Sequence, residues 1–177
     1  MTRSADLPPL ERPEFSRDPI RVPRPLDRRP GFVMVDVAWG TIQPLSLHPE
    51  IETVGELELI EHLQAGLPVI DTRRKESYAA ETIPGARPLP YTEITRCSGD
   101  LDPRNPAILF CNGPQCAATP QAVKALLQVD YPPRSLRYYR GGMHDWVTLE
   151  LPTTPGRASP PRRPPQDTST IPALAPH

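Results

Sequence analysis

Hydrophobic positions along this chain fall into short dense runs separated by helical spacings. Ala107-Ile108-Leu109-Phe110 is wholly apolar, and Leu67-Pro68-Val69-Ile70 nearly so. Both have the length of a strand buried on two faces. Leu136 to Tyr139 reads as a third strand, and Arg87 to Leu89 as a short one. Phe32 to Val37 is β-like, with a weaker β-like segment at Leu45 to Leu47. Between these lie helical patterns. Thr53-Val54-Gly55-Glu56 has the form of a capping box with Thr53 as N-cap. Leu57, Ile60 and Leu63 then give an apolar face, and Gly66 a stop. Arg74 to Ala80 suits a short helix, and Ile83-Pro84-Gly85-Ala86 a turn. Tyr91 to Arg96 fits another helical turn. Ala117 to Gln128 reads as a helix with Val123, Leu126 and Leu127 toward the core, and Gly142 to Thr148 as a last short helix. Strands alternating with helices predict an α/β fold, a parallel sheet covered on both faces.

Composition sets the boundaries. Of 27 prolines, seven lie in residues 1–30 and eight in residues 152–177. Both ends are Arg-rich and poor in aromatics, so they bury too little apolar surface to offset ordering entropy. Residues 1–30 and 153–177 are therefore expected to be disordered tails, with residues 31–50 a β-like extension and 51–152 the domain proper. Each end carries a net +2, which leaves residues 31–151 at −5 against a total of −1. A mildly acidic core argues against nucleic acid as a partner. No signal-like or membrane-spanning apolar stretch is present in the sequence, which gives the expectation of a cytoplasmic protein with no membrane partner. Three cysteines in a reducing compartment read as thiols rather than a disulfide framework.

The chemistry concentrates where the apolar run Ala107 to Phe110 drops into Cys111-Asn112-Gly113-Pro114-Gln115-Cys116, followed by a helix. A strand end, a tight loop and a helix N-terminus make an anion site, which favours a thiolate. Cys111 is the candidate nucleophile. The backbone N–H groups of Asn112, Gly113, Gln115 and Cys116 are the expected cradle. Cys116 is a candidate resolving thiol. Cys97, in a polar stretch, is read as incidental. Trp146 is read as packing, and Gly141-Gly142 as a close turn. His48, His62 and His144 show no metal-ligand spacing, and Cys-x4-Cys is not a zinc spacing, so no metal is expected.

Val69-Ile70-Asp71-Thr72-Arg73 with Glu76-Ser77-Tyr78 resembles the "IDVR…EEY" segment of the rhodanese-like family. Thr82-Ile83-Pro84-Gly85-Ala86 resembles its "HIPGA" turn, with Thr in place of His. Cys111 to Cys116 stands at its active-site loop, and Arg140-Gly141-Gly142-Met143 through Trp146 and Leu151-Pro152 resembles its closing "GG…W…LP". The resemblance implies a rhodanese-like three-layer fold. It also implies a sulfurtransferase that holds sulfane sulfur as a persulfide on Cys111, needs no cofactor, and passes the sulfur from a small donor to a thiol, cyanide or protein acceptor. Asn112 and Gly113 are uncharged where thiosulfate-using members often carry cations, which argues against thiosulfate as donor. In this frame Asp71 is expected to accept hydrogen bonds from loop N–H groups and Arg73 to pair with Glu76. Arg74 and Arg140 are candidates for attracting anions to the mouth. Three alternatives share the chain: a Cys111/Cys116 thiol–disulfide redox protein, a non-catalytic interaction module, and a cysteine phosphatase or arsenate reductase on a related fold. The last requires an arginine at the Cys-x5 position, where Ala117 stands.

Overall fold

The computed structural model describes residues 41–157 together with the strands β1 (Arg24–Pro25) and β2 (Val33–Met34). The remaining residues of both expected tails lie outside the described residues. β1 and β2 form their own antiparallel pair, with Arg24 opposite Met34. Regular structure thus reaches into the segment expected to be a disordered tail.

The main sheet has five parallel strands: β3 (Glu52–Val54), β4 (Val69–Asp71), β5 (Arg87–Pro88), β6 (Ala107–Phe110) and β7 (Leu136–Tyr139), in the order β3-β7-β6-β4-β5. The two strands of densest apolar sequence, β4 and β6, sit inside the sheet and are buried along their whole length. Successive side chains on β6 serve opposite faces. Ala107 and Leu109 join Ala122, Val123 and Leu126 of α3 (Ala118–Gln128) in one cluster. Ile108 and Phe110 join Leu59 of α1 (Glu56–Gln64) and Met143, Trp146 and Val147 of α4 (Gly142–Thr148) in the other. The layers are therefore helix, sheet, helix, as expected. The fourth helix, α2 (Lys75–Ala80), follows β4.

Two sequence expectations fail near β3. Thr53 is not a cap. It lies in the strand, opposite Tyr138 of β7. The cap is Gly55, whose N–H donates to the Glu58 carboxylate at 3.0 Å. The inner face also differs from the expected one at Leu57, which is 73 % exposed while Leu59 and His62 are buried. Leu45 to Leu47 forms no strand. At the other end, the domain continues past residue 152. Thr154 and Thr82 exchange backbone hydrogen bonds at 2.8 and 3.0 Å, and Gly156 N–H reaches the Tyr78 carbonyl at 3.1 Å. Among the described residues, no helix is long and apolar enough to cross a membrane.

Candidate active site

All five strands run in parallel, so the segments leaving β4, β6 and β7 meet at one edge of the sheet, where α/β proteins place their ligands. The segment after β6 begins with Cys111, 1 % exposed. The loop that follows is clamped by the first turn of α4. Met143 N–H donates to the Cys111 carbonyl at 3.0 Å, and His144 N–H to the Asn112 carbonyl at 2.8 Å. Gly142, at φ +58°, makes this approach possible. A Cβ there would drive into the Cys111 carbonyl oxygen and lie 2.8 Å from the Gly113 nitrogen. Gly142 therefore acts through its backbone.

The cradle differs from the expected one. Asn112 N–H points at Cys116 Sγ, and so does Ala118 N–H from the start of α3. The N–H of Cys116 closes a turn onto the Gly113 carbonyl at 2.9 Å and is not directed at either thiol. Cys111 Sγ instead meets the N–H and hydroxyl of Thr119. Thr119 Oγ1 lies 2.9 Å from Thr72 Oγ1, which also reaches the Phe110 carbonyl at 2.8 Å, so a buried pair of hydroxyls underlies the buried thiol. Sequence reasoning missed Thr119 and Thr72. A hydroxyl in the first helical turn after the loop was the available signal.

The two thiols are neighbours with opposite tendencies. Cys111 donates to the Cys116 carbonyl at 3.4 Å and stands within hydrogen-bond reach of the Cys116 thiol. Burial, then the adjacent Cys116, hold the Cys111 thiol well above its ordinary value. The hydrogen bond from Cys111, the Ala118 and Asn112 N–H groups and the Arg73 cation bring Cys116 down to about 6. Of two thiols side by side, the less buried ionises first, and its charge disfavours ionisation of the second. Burial of Cys111 and the N–H donors around Cys116 thus favour ionisation of the outer sulfur over the inner one. Alkylation by iodoacetamide is expected to label Cys116 before Cys111. The rate should rise with pH through about 6 and level off above, as the thiolate population saturates. Peptide mapping of briefly labelled protein checks this. Labelling that begins only near the ordinary thiol range would refute it.

Asp71 and Arg73 form a buried ion pair, 2.7 Å between Nη2 and Oδ2, with side chains 0 % and 3 % exposed. Asp71 accepts from the Arg73 backbone N–H, from its guanidinium and, at 2.9 Å, from Thr82 Oγ1. It receives no loop N–H, contrary to expectation. Thr82, standing where the family keeps His, thus has a definite partner. Arg73 does not pair with Glu76, which is exposed. A planar guanidinium suits a buried carboxylate better than a solvated glutamate one helical turn away. Its remaining donors go to the Glu81 carbonyl and to Asn112 Oδ1, the latter at 3.3 Å. Arg73 therefore ties the Asp71 strand end to the cysteine loop.

The two outer arginines are placed differently. Arg74 is exposed at the N-cap position of α2. Arg140 directs Nε and Nη2 to the Gln43 carbonyl at 3.2 and 3.0 Å, while Gln43 N–H donates to the Pro114 carbonyl at 2.7 Å. Arg140 thus pins a segment N-terminal to the sheet across the loop. No periodicity in the sequence signals that contact. Gln115 Oε1 is buried without a hydrogen-bond partner among the described residues. Cys97 lies elsewhere, lining a cavity with Lys75, Tyr78 and Leu101 beside β4 and β5.

A parallel three-layer domain with a cysteine loop between a buried strand and a helix N-terminus defines the rhodanese class of architecture. The sequence pattern of the rhodanese-like domain matches residues 56–149. The chain belongs to that family. It is 28 % identical over 124 residues to the HTH-type transcriptional regulator Rv0324 of Mycobacterium tuberculosis (strain ATCC 25618 / H37Rv), covering 70 % of this chain. The chain spans about half the length of that curated relative, 53 %. Among solved structures, the BH2092 protein of Bacillus halodurans superposes with a TM-score of 0.52 at 21 % identity, over 58 % of this chain and 76 % of that one. The rhodanese-like domain of the Alr3790 protein from Anabaena sp. gives 0.50 at 22 %, over 71 % and 95 %. These likenesses are likenesses of fold.

Proposed function

We propose that the protein is a sulfurtransferase that takes sulfane sulfur from a small donor, holds it as a persulfide on Cys111 and passes it to a thiol, cyanide or protein acceptor. The observation that carries this reading is the pairing of two thiols at the sheet edge, each supplied with its own N–H donors from the loop and the first turn of α3. A terminal persulfide sulfur is anionic at neutral pH, and such donors lower its energy. The uncharged Asn112 and Gly113 favour a small organic persulfide over thiosulfate as donor. The reading places the protein in a reducing, cytoplasmic setting.

Incubation with glutathione persulfide is expected to add one sulfur to the intact mass of the wild-type chain, with peptide mapping placing it at rest on Cys111. The double variant Cys111→Ala, Cys116→Ala should take none. A wild-type chain that takes no sulfur from glutathione persulfide, mercaptopyruvate or thiosulfate overturns the reading. The proximity of the thiols also favours a second reading, thiol–disulfide exchange. That reading requires a reversible Cys111–Cys116 disulfide in the absence of any sulfur donor.

A further inference from the structure

The two cysteines differ in reach as well as in ionisation. Cys111 is closed off beneath the loop, with α4 clamped to its carbonyl and the Thr72–Thr119 hydroxyl pair below. Cys116 is partly exposed. A donor approaching from solvent therefore meets Cys116 first. Cys111 donates to the Cys116 backbone carbonyl at 3.4 Å, and the two thiols lie within hydrogen-bond reach of each other.

From this geometry we infer that sulfur enters on Cys116 and is handed inward to Cys111, so that the loop is a two-station relay. The inference rests on the persulfide reading above and assigns the order of events within it. In the first step the Cys116 thiolate attacks the terminal sulfur of a small persulfide in its protonated form, R–S–SH. A bond forms from Cys116 Sγ, the donor S–S bond breaks, and R–S⁻ leaves with the electron pair. The proton stays on the transferred sulfur. In the second step Cys111 Sγ attacks that terminal sulfur while its own proton passes to Cys116 Sγ, the leaving sulfur. The products are a Cys111 persulfide and a Cys116 thiol, which ionises again. One sulfane sulfur moves between thiols in each step, so no oxidant or reductant is consumed.

The N–H groups suit both stations. Asn112, Ala118 and the Arg73 charge stabilise anionic sulfur at Cys116, and Thr119 serves Cys111 through its N–H and its hydroxyl. The inner station also explains why a sulfur carrier buries its carrying thiol. A persulfide behind Cys116 is shielded from solvent thiols that would otherwise reduce it.

The test uses the full chain and glutathione persulfide. In rapidly quenched wild type, added sulfur should appear on the Cys116 peptide first and on the Cys111 peptide after a lag. Cys116→Ala should load at least about tenfold more slowly, because the remaining thiol is buried and protonated. Cys111→Ala should still take one sulfur, held on Cys116, and should lose it faster than wild type to added cyanide. Loading of Cys111 without a lag, together with unimpaired loading of Cys116→Ala and none of Cys111→Ala, overturns the relay while leaving the sulfurtransferase reading in place. Absence of loading in wild type as well overturns both. The quenched wild-type measurement decides the order even if a cysteine variant fails to fold.

Discussion

Replacement of Gly142 by alanine is expected to cost the domain about 3 kcal/mol and to abolish most sulfur loading. The residue sits at φ +58°, where an L side chain costs roughly 1–2 kcal/mol. Its Cβ would also strike the Cys111 carbonyl oxygen and the Gly113 nitrogen, and overpacking of a closed site costs roughly 1–3 kcal/mol more. Both obstacles are backbone atoms, so no side-chain rotation relieves them. Either the loop shifts, losing the Met143 and His144 bonds to the Cys111 and Asn112 carbonyls, or α4 does. Urea unfolding and loading assays on the same preparation check this. A Gly142→Ala protein with wild-type midpoint and loading rate would show that the backbone approach is not tight.

Arg73→Met is expected to be the most damaging single change, at about 3–5 kcal/mol. It leaves the Asp71 carboxylate buried without its cation, and an uncompensated buried charge costs that much. For a domain of this size the melting temperature should fall by roughly 10–20 °C. The double variant Asp71→Asn, Arg73→Met should recover part of the loss, because it removes the stranded charge along with its partner. Arg73 acts on the chemistry through position, and a second readout separates that role from stability. Without the guanidinium, Asn112 loses its tether and the Cys116 thiol loses a nearby cation. In Arg73→Met protein that is still folded, the pH dependence of Cys116 alkylation should therefore move upward from about 6. Thermal melts and an unchanged alkylation profile together would assign Arg73 to structure alone.

The elements most readable from the sequence were those decided by local pattern. β4 and β6 are buried apolar runs, and α4 follows a Gly-Gly turn, so each is fixed by residues within or beside it. β3 was missed because Glu52-Thr53-Val54 is short and has the look of a helix cap. Only its register against Arg137, Tyr138 and Tyr139 makes it a strand. The cysteine loop was found through its position between strand and helix. What sequence spacing did not show was which donor meets which sulfur. The loop folds back so that Asn112 N–H serves Cys116, five residues from the thiol it was expected to hold. The same limit applies to Arg73. Its proximity in sequence to Glu76 suggested a helical pair, whereas it turns back to Asp71 two residues earlier and meets Asn112 only once β4 and β6 lie side by side.

The clamp of α4 on the cysteine loop has a consequence for the newborn chain. The carbonyl of Cys111 is capped by the N–H of Met143, which is translated 32 residues later (143 − 111). At roughly 5–20 residues per second, both thiols leave the ribosome seconds before the segment that encloses them exists. During that interval neither burial nor the first turn of α4 distinguishes Cys111 from Cys116. The division of labour between inner and outer sulfur is thus acquired late, when α4 docks, and a nascent chain that meets an oxidant earlier presents two equivalent loop thiols.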